Sequence, residues 1–367
     1  MEKIKLGDLC TPSQGQLKEK PDTVIDYIDI SSVDNETKKV TGYQTMTFSE
    51  SPSRARKAVK RGSILVSTVR PNLNAVAILE NDTPNLSVAS TGFCILDCKE
   101  DTDERFVFNY CKSKVFIDDM VSQATGASYP AVSDKIVRSA LIPAYSYEKQ
   151  RHIGIILDKV SDVIEKRREE LQALDKLIKA RFVEMFGDPV LNPFSWEMKR
   201  FDEICENLDS RRKPISSGDR VEGIYPYYGA SDIVDYVEDY IFDEDILLVS
   251  EDGANLLMRS TPIAFSVSGK VWVNNHAHVV RFDKMSLQKY VEIYFSLIDI
   301  SDSITGSAQP KLNQAKLNAM MIPIPEDTLL DRYCEFLYQV DKSKVIVQKA
   351  LDEIQTLFDS LMQEYFG

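Results

Sequence analysis

The hydrophobic residues of segment 146–187 recur at steps of four and three, which is typical of a long helix with one narrow apolar seam. Such a seam favours a coiled coil over a broad face packed on a globular core. The same spacing returns in residues 326–367. The predicted seam is formed by Ile153, Leu157, Val160, Ile164, Leu171, Leu174 and Ile178 in the first helix, and by Leu337, Val340, Val347, Leu351, Ile354, Phe358 and Leu361 in the second.

The two helical segments are copies of one unit, 180 residues apart. A shift of 180 brings Leu157 onto Leu337, and both segments end in Phe-Gly, at 186–187 and 366–367. The first of these glycines is followed by Asp-Pro, a helix stop. The chain is therefore an internal repeat, with globular parts at 1–145 and 188–325 and long helices at 146–187 and 326–367.

Each globular part mixes strand and helix patterns, so we predict an α+β fold with a mixed sheet. In the first part, strands are predicted at 64–67, 75–79 and 93–96 and one helix at 105–123, whereas residues 1–61 show little periodicity. In the second part, a strand at 245–250 and a helix at 287–298 match them.

Two short motifs recur at the same offset of 180. A T-G-x-x-x-P loop occupies 125–130 and 305–310, and an Ile-Pro pair stands at 142–143 and 322–323. The sequence offset between the two halves stays at 180 from these motifs onward but varies in the strand regions. This suggests duplication followed by specialisation of the globular parts.

Composition is that of a globular protein, with 43% hydrophobic and 28% charged residues among 367. We find no signal segment and no apolar run that could span a bilayer, and six cysteines lack paired CxxC spacing, so we expect reduced thiols in a cytoplasmic protein. The net charge of −13 by itself argues against binding to nucleic acid, because phosphate groups are contacted by Lys and Arg. Local distribution decides, however, and basic residues cluster at Arg54, Arg56, Lys57, Lys60, Arg61 and Arg70 and again at Arg211, Arg212 and Lys213.

Sequence signatures of catalysis are missing. There is neither a G-x-x-x-x-G-K-[ST] phosphate loop nor a G-x-G-x-x-G fingerprint. Asn192-Pro193-Phe194 is similar to the N-P-P-F motif of amino-methyltransferases but lacks the second proline, so we interpret it as a linker. His276 and His278 alternate along a strand and have no carboxylate or cysteine at ligand spacing, so no metal is expected.

Two globular halves that each close with T-G-x-x-x-P, Ile-Pro, a long heptad helix and Phe-Gly resemble the specificity subunit of type I restriction-modification systems. The resemblance covers essentially the whole chain and includes the stretches 227–231 and 245–253. It implies that each globular half is a target-recognition domain reading one half of a two-part site on double-stranded DNA. It also implies that the helices pair antiparallel, space the two readers and dock two methyltransferase subunits, which a restriction subunit would join. The chain itself would be non-catalytic and without cofactor, with S-adenosylmethionine on the methyltransferase.

Base edges are read by side chains with paired donors or acceptors, such as Arg, Asn and Gln, and phosphates by Lys and Arg. Loop residues of these types are the DNA-binding candidates: Arg70, Asn72, Asn74, Ser128, Tyr129, Lys135 and Arg138 in the first half, and Arg211, Arg212, Lys213, Tyr228, Ser231, Asn255, Asn274, Asn275, His276, Gln309 and Lys311 in the second.

Two other classes of function compete with this one. One is an adaptor or scaffold in which the helices mediate assembly and the globular halves bind proteins. It would explain the acidity and the coiled coils but not the basic, Asn-rich loops at matching places. A self-contained methyltransferase or nuclease would need the cofactor loops that the sequence lacks. Binding to duplex DNA that weakens steeply with salt would favour the DNA-reading function over the adaptor. Methyl transfer by the purified chain without a partner would favour the enzyme.

Overall fold

The computed structural model describes residues 2–12, 15–306 and 309–367. The chain divides into two compact units, Met1–Glu169 with Gln348–Gly367, and Glu170–Val347. Both units combine small mixed sheets with helices, and each contains part of both long helices. The α+β fold class is confirmed.

The first unit contains three sheets. Its strands are β1 (Lys3–Lys5), β2 (Val24–Ile28), β3 (Gln44–Thr47), β4 (Ala55–Ala58), β5 (Ile64–Ser67), β6 (Val76–Ile78), β7 (Leu86–Ser90), β8 (Phe93–Leu96) and β9 (Leu141–Pro143). Its helices are α1 (Glu104–Lys112), α2 (Lys114–Gln123), α3 (Asp134–Ser139) and the first part of α4 (Tyr147–Phe186). The strand orders are β3-β2-β7-β4, β6-β5-β8 and β1-β9, and only β2 and β7 among these pair in parallel.

The second unit repeats this plan with one additional short strand, β11. Its strands are β10 (Glu197–Arg200), β11 (Glu206–Asn207), β12 (Glu222–Tyr228), β13 (Ile233–Val237), β14 (Phe242–Asp243), β15 (Ile246–Ser250), β16 (Ala264–Val267), β17 (Lys270–Val273), β18 (Ala277–Arg281) and β19 (Met321–Ile324). Its helices are α5 (Phe201–Ile204), α6 (Asn255–Met258), α7 (Met285–Leu297), α8 (Gln314–Asn318) and part of α9 (Asp327–Phe366). The orders β13-β12-β17-β14 and β10-β19 match those of the first unit, again with one parallel pair, β12 and β17. The order β16-β15-β18 matches β6-β5-β8, and β11 extends that sheet beside β18.

The continuous apolar run of β5 is explained by burial on both faces. Alternate side chains of a strand point to opposite faces, so Ile64 and Val66 enter one hydrophobic cluster while Leu65 enters another. Strand β15 repeats this, with Leu247 and Val249 on one side and Leu248 on the other. A strand buried on both faces holds the loop that follows it rigidly.

The long helices pair within each unit. In the first unit, Leu157 of α4 lies in the same core as Phe366 at the end of α9. In the second, Ile178 near the end of α4 packs with Tyr333 near the start of α9, and the Tyr333 hydroxyl donates to the Ile178 carbonyl at 3.0 Å. Early residues of one helix thus meet late residues of the other, which is the antiparallel order.

The terminal Phe-Gly pairs are part of the cores. Phe366 is fully buried against Phe106, with ring centroids 5.3 Å apart, and Phe186 is buried against Tyr290 at 4.9 Å. Gly187 has φ +81°, a left-handed conformation that favours glycine and ends the helix.

Two predictions about local structure were wrong. The single helix at 105–123 is two helices, because Ser113 adopts an extended backbone and caps α2 with its hydroxyl, which accepts from the Phe116 N–H. Residues 1–61 are not irregular, because they contain β1 to β4. Neither α4, α9 nor another helix in the described ranges has an apolar stretch that could cross a bilayer.

Candidate nucleic-acid interface

In the first unit, the loop after β5 is joined to the T-G-x-x-x-P loop by main-chain hydrogen bonds. The Arg70 N–H donates to the Pro130 carbonyl at 2.7 Å, and the Val132 N–H donates to the Thr68 carbonyl at 2.9 Å. Thr125 and Ala131 close the second loop with a reciprocal pair of bonds. Two loops that are distant in sequence therefore form one ridge on a rigid strand.

The glycine of the T-G-x-x-x-P motif is required by its backbone. Gly126 has φ +104°, and a Cβ there would lie 2.8 Å from the Tyr129 carbonyl oxygen. Gly306 has φ +83°, and its Cβ would lie 2.5 Å from the Gln309 carbonyl oxygen. The motif is thus a tight loop that only glycine allows. Ser307 and Ala308, within the second copy, lie outside the described residues.

The second unit joins the equivalent loops in the same way. The Gly253 N–H donates to the Pro310 carbonyl at 3.0 Å, and the Leu312 N–H donates to the Glu251 carbonyl at 2.8 Å. Gly253, with φ +108°, therefore occupies the position of Arg70, whose φ is +49°. The first unit places an arginine where the second uses glycine, and an arginine is strained in that conformation.

The Arg70 side chain lies at the tip of the first ridge. Its guanidinium carbon is 5.1 Å from the centre of the Tyr129 ring, which is 70% exposed. Asn72 and Ser128 are exposed on the same two loops, and Lys135 is exposed on α3, which follows the second loop. The structure therefore brings five of the seven candidates of the first half into one region.

Four loops meet in the second unit. Ser250 donates to the Ala230 carbonyl at 2.5 Å, and Asn255 donates to the Ser231 hydroxyl at 3.3 Å. His276 pairs with Asp252 at 3.0 Å. Gln309 and Lys311 are exposed on a further loop nearby. Most second-half candidates therefore lie at one edge of the sheet, beyond the C-terminal end of β15 and the N-terminal end of β18.

A buried ionic network lies beneath these loops. His278 is 2.6 Å from Asp209 through Nδ1, and its Nε2 donates to the Leu312 carbonyl at 2.8 Å. Arg212 donates to Glu251 at 2.6 Å and lies 3.3 Å from Asp209. Burial alone would raise the pKa of both carboxyl groups. The hydrogen bond and charge of His278 instead lower the pKa of Asp209 below its ordinary value, and hydrogen bonds from Arg212 and Lys311 lower that of Glu251. The network fixes the loop through Leu312.

Both histidines have carboxylate partners that sequence spacing could not indicate, because Asp252 and Asp209 are distant from them in the chain. One ligand atom each from Asp209, Glu251 and His278 lies within 4.8 Å of the others, a set that could hold a metal ion. Arg212 already supplies a cation between the two carboxylates. The donor set is therefore satisfied by the chain's own charge.

Two candidates, Asn74 and Asn274, are buried, and two more, Arg138 and Arg212, are half-buried; contacts within the fold hold all four side chains. The Asn74 amide donates to the Cys111 carbonyl, Asn274 accepts from the His276 N–H, and Arg212 belongs to the network. Arg138, half-buried, donates to the Thr11 and Ile95 carbonyls. These contacts shape the loops, and it stays a prediction that the four side chains reach DNA.

The other second-half candidates differ in freedom. Arg211 is held by Glu244 at 2.6 Å, and Tyr228 is half-buried against Phe265. Lys213 and Asn275 are exposed. Asp252 also lies among these loops, where it pairs with His276, but it is not one of the residues predicted from the sequence. No sequence pattern marks it, because a single aspartate after a strand is common.

Two of the six residues in the first basic cluster form ion pairs. Arg54 pairs with Asp29 and Lys57 with Asp134, each at 2.5 Å, and Lys57 also donates to the Phe93 carbonyl. Of this cluster, Arg70 is the member that lies on the ridge.

Comparison with known proteins agrees with this repeat. A family model for the type I restriction modification DNA specificity domain matches residues 1–175 and 193–356. The type I restriction enzyme MjaIX specificity subunit of Methanocaldococcus jannaschii is 21% identical over 337 residues, covering 82% of this chain and 76% of that protein. A Haemophilus influenzae protein named as a type I restriction enzyme specificity subunit (S.HindORF215P) is 36% identical over 140 residues, 38% of this chain. That match spans only 36% of the relative's length.

Solved structures share the fold. The crystal structure of a type I restriction-modification system S subunit from M. genitalium superposes with a TM-score of 0.62 at 15% identity, covering 100% of this chain and 96% of that one. A chain from a study of complex assembly and conformational transition of the type I system gives 0.61 at 21% identity, covering 100% and 97%. The resemblance noted in the sequence is confirmed: the chain belongs to the type I restriction-modification DNA specificity family and carries two copies of its domain.

Proposed function

We propose that the chain recognises a two-part sequence on double-stranded DNA, with each unit reading one half through its joined loops. The single observation that carries this proposal is the matching pair of hydrogen-bonded loops, at Arg70–Pro130 and at Gly253–Pro310, each on a strand buried on both faces. Loops held by a rigid scaffold can keep side chains at fixed positions along a groove.

The side chains on these loops suit DNA. Arg70 beside Tyr129 offers a guanidinium for a guanine edge or a phosphate and a ring for stacking or sugar contact. In the second unit, the exposed Gln309, Asn275 and Lys311 offer amide groups and a cation. Lys311 also pairs with Glu251 at 3.0 Å, so a phosphate would compete with that carboxylate. The two units differ at the tips, which suits recognition of two different half-sites.

The long helices serve assembly in this proposal. They space the two readers and dock methyltransferase subunits, two per chain, to which restriction subunits are added. Exposed apolar side chains support docking, because patches of this kind mark interaction surfaces. They are Ile155, Leu177 and Val183 on α4 and Tyr338, Val345, Ile346 and Leu357 on α9. The chain itself would perform no chemistry, and S-adenosylmethionine would be bound by the methyltransferase.

The test is methylation mapping of DNA exposed to the chain together with its methyltransferase. Residues 1–145 are exchanged for those of a relative, and the methylated sequence should change in one half-site only. A chain that changes both halves or neither contradicts modular reading. Methyl transfer by the chain alone would favour an enzyme, and failure to bind DNA in either form would favour an adaptor.

The spacing role has its own test. Glu169 and Lys349 lie within two residues of the boundaries between the units, at Glu169/Glu170 and Val347/Gln348. Inserting seven residues after each keeps the seam in register and lengthens both helices by about 10 Å, roughly three base pairs of duplex rise. We expect the same half-sites with a longer gap. Methylation at an unchanged gap would show that the helices do not set the spacing.

A further inference from the structure

We propose that Cys10 and Cys98 form a reversible intramolecular disulfide, a modification site separate from the DNA-reading loops. The two residues lie directly opposite each other in an isolated antiparallel bridge. The bridge joins the segment after the 3-10 turn Leu6–Leu9 to the segment after β8. Both cysteines are free thiols in the structure.

The backbone bonds around the bridge define a close pair. The Thr11 N–H donates to the Asp97 carbonyl at 2.8 Å, and the Lys99 N–H donates to the Leu9 carbonyl at 3.0 Å. These bonds flank Cys10 and Cys98, so the two form a non-hydrogen-bonded pair. In such a pair Cα atoms are about 4.5 Å apart, inside the range that a disulfide spans.

The two side chains lie on the same face of the bridge, where those of a non-hydrogen-bonded pair come close together. The Cys98 thiol hydrogen-bonds to the Cys10 sulfur, and this bond, together with the nearby Arg138 guanidinium, lowers the pKa of Cys10 below the ordinary thiol value despite burial. The same bond and burial raise the pKa of Cys98. Cys10 is therefore the more acidic of the two thiols.

Arg138 holds both segments in place. Its guanidinium donates to the Thr11 carbonyl at 2.9 Å and to the Ile95 carbonyl at 3.0 Å, which ties the two segments together on one side of the bridge. The fold therefore already holds the two cysteines side by side, and forming the disulfide needs little backbone movement. These hydrogen bonds explain why this pair should close while the buried Cys94 and Cys111 should not.

The oxidant we assign is a low-molecular-weight disulfide such as oxidised glutathione. Cys98 is half-exposed whereas Cys10 is 3% exposed, so reagent meets Cys98 first. The Cys98 proton passes to Cys10, the Cys98 sulfur attacks the reagent, and one glutathione thiolate leaves. The Cys10 sulfur then attacks the mixed disulfide at Cys98 and releases the second glutathione. The protein loses two hydrogens and two electrons, and the reagent becomes two thiols.

The experiment equilibrates the full chain in reduced and oxidised glutathione at graded ratios and traps free thiols by alkylation. We expect a chain lighter by two hydrogens, a linked peptide pair containing Cys10 and Cys98, and a melting temperature higher by on the order of 5 °C. Cys98→Ser should abolish the link with little effect on folding, because this position is partly exposed. Cys10→Ser should also abolish the link, although it replaces a buried residue. Cys334→Ser on α9 is the matched control and should leave the link intact.

Two results would overturn the assignment. One is a stable glutathione adduct on Cys98 with Cys10 still alkylatable, which would show that the sulfurs cannot meet. The other is a folded chain that stays reduced at every ratio at which the same chain, denatured, forms disulfides.

Discussion

Substitutions at Arg70 can distinguish the effect of its strained backbone on stability from the effect of its side chain on DNA binding. Its backbone is left-handed, with φ +49° and ψ 62°, where Gly253 stands in the second unit. The left-handed conformation costs a non-glycine residue about 1 to 2 kcal/mol of folding free energy, and glycine avoids this cost. Part of the gain is offset because glycine makes the unfolded chain more flexible. We therefore expect Arg70→Gly to be about 1 kcal/mol more stable than Arg70→Ala.

The same two substitutions should weaken DNA binding equally, because both remove the guanidinium. Loss of a bidentate base contact is worth about 1 to 3 kcal/mol, which is roughly a 5- to 150-fold weaker complex. A base contact would relax one position of the target, whereas a phosphate contact would weaken binding to all sequences alike. Arg61→Ala is the matched control, since Arg61 is an exposed arginine before β5 rather than after it.

Stability is measured by chemical unfolding of the full chain, and binding by titration of duplex DNA onto the chain with its methyltransferase at fixed salt. Two results would refute the reasoning. If the glycine variant is no more stable than the alanine variant, the left-handed backbone stores no strain. If Arg70→Ala binds as tightly as Arg61→Ala, the side chain does not touch DNA.

Three further predictions concern stability. Gly126→Ala should be destabilised by more than Gly62→Ala in unfolding experiments, because both have positive φ but only the first would crowd a carbonyl. The lowered pKa of Asp209 means that its contribution is fully present above the ordinary carboxyl pKa, near 4, and is lost as pH falls through the folded value. Asp209→Asn should therefore be less stable at pH 7 by roughly 3 kcal/mol and show a flatter acid limb between pH 5 and pH 2, whereas an unchanged limb would assign acid unfolding to other groups. Tyr333→Phe should lose about 1 kcal/mol with its buried hydroxyl bond, while Tyr338→Phe at an exposed site should be neutral in the same assay.

The periodic parts of this protein could be predicted from the sequence. The seam spacing and the offset of 180 led to two long helices, which the structure has at Tyr147–Phe186 and Asp327–Phe366. The T-G-x-x-x-P motif could be located because glycine is the residue that tolerates its backbone. Strands β5 and β15 were recognisable because burial on both faces makes them continuously apolar.

The sequence alone determined the repeat, the long helices and the family, because these depend on local periodicity and on short motifs in a fixed order. Only the tertiary structure decided which polar side chains are available. Arg70 and Arg212 both read as basic loop residues, yet one lies on an exposed tip and the other is buried between Asp209 and Glu251. The pairing of Cys10 with Cys98 likewise joins residues far apart in the chain. Local patterns carry no information about such partners, since ion pairs and sheet register are fixed by contacts between distant segments.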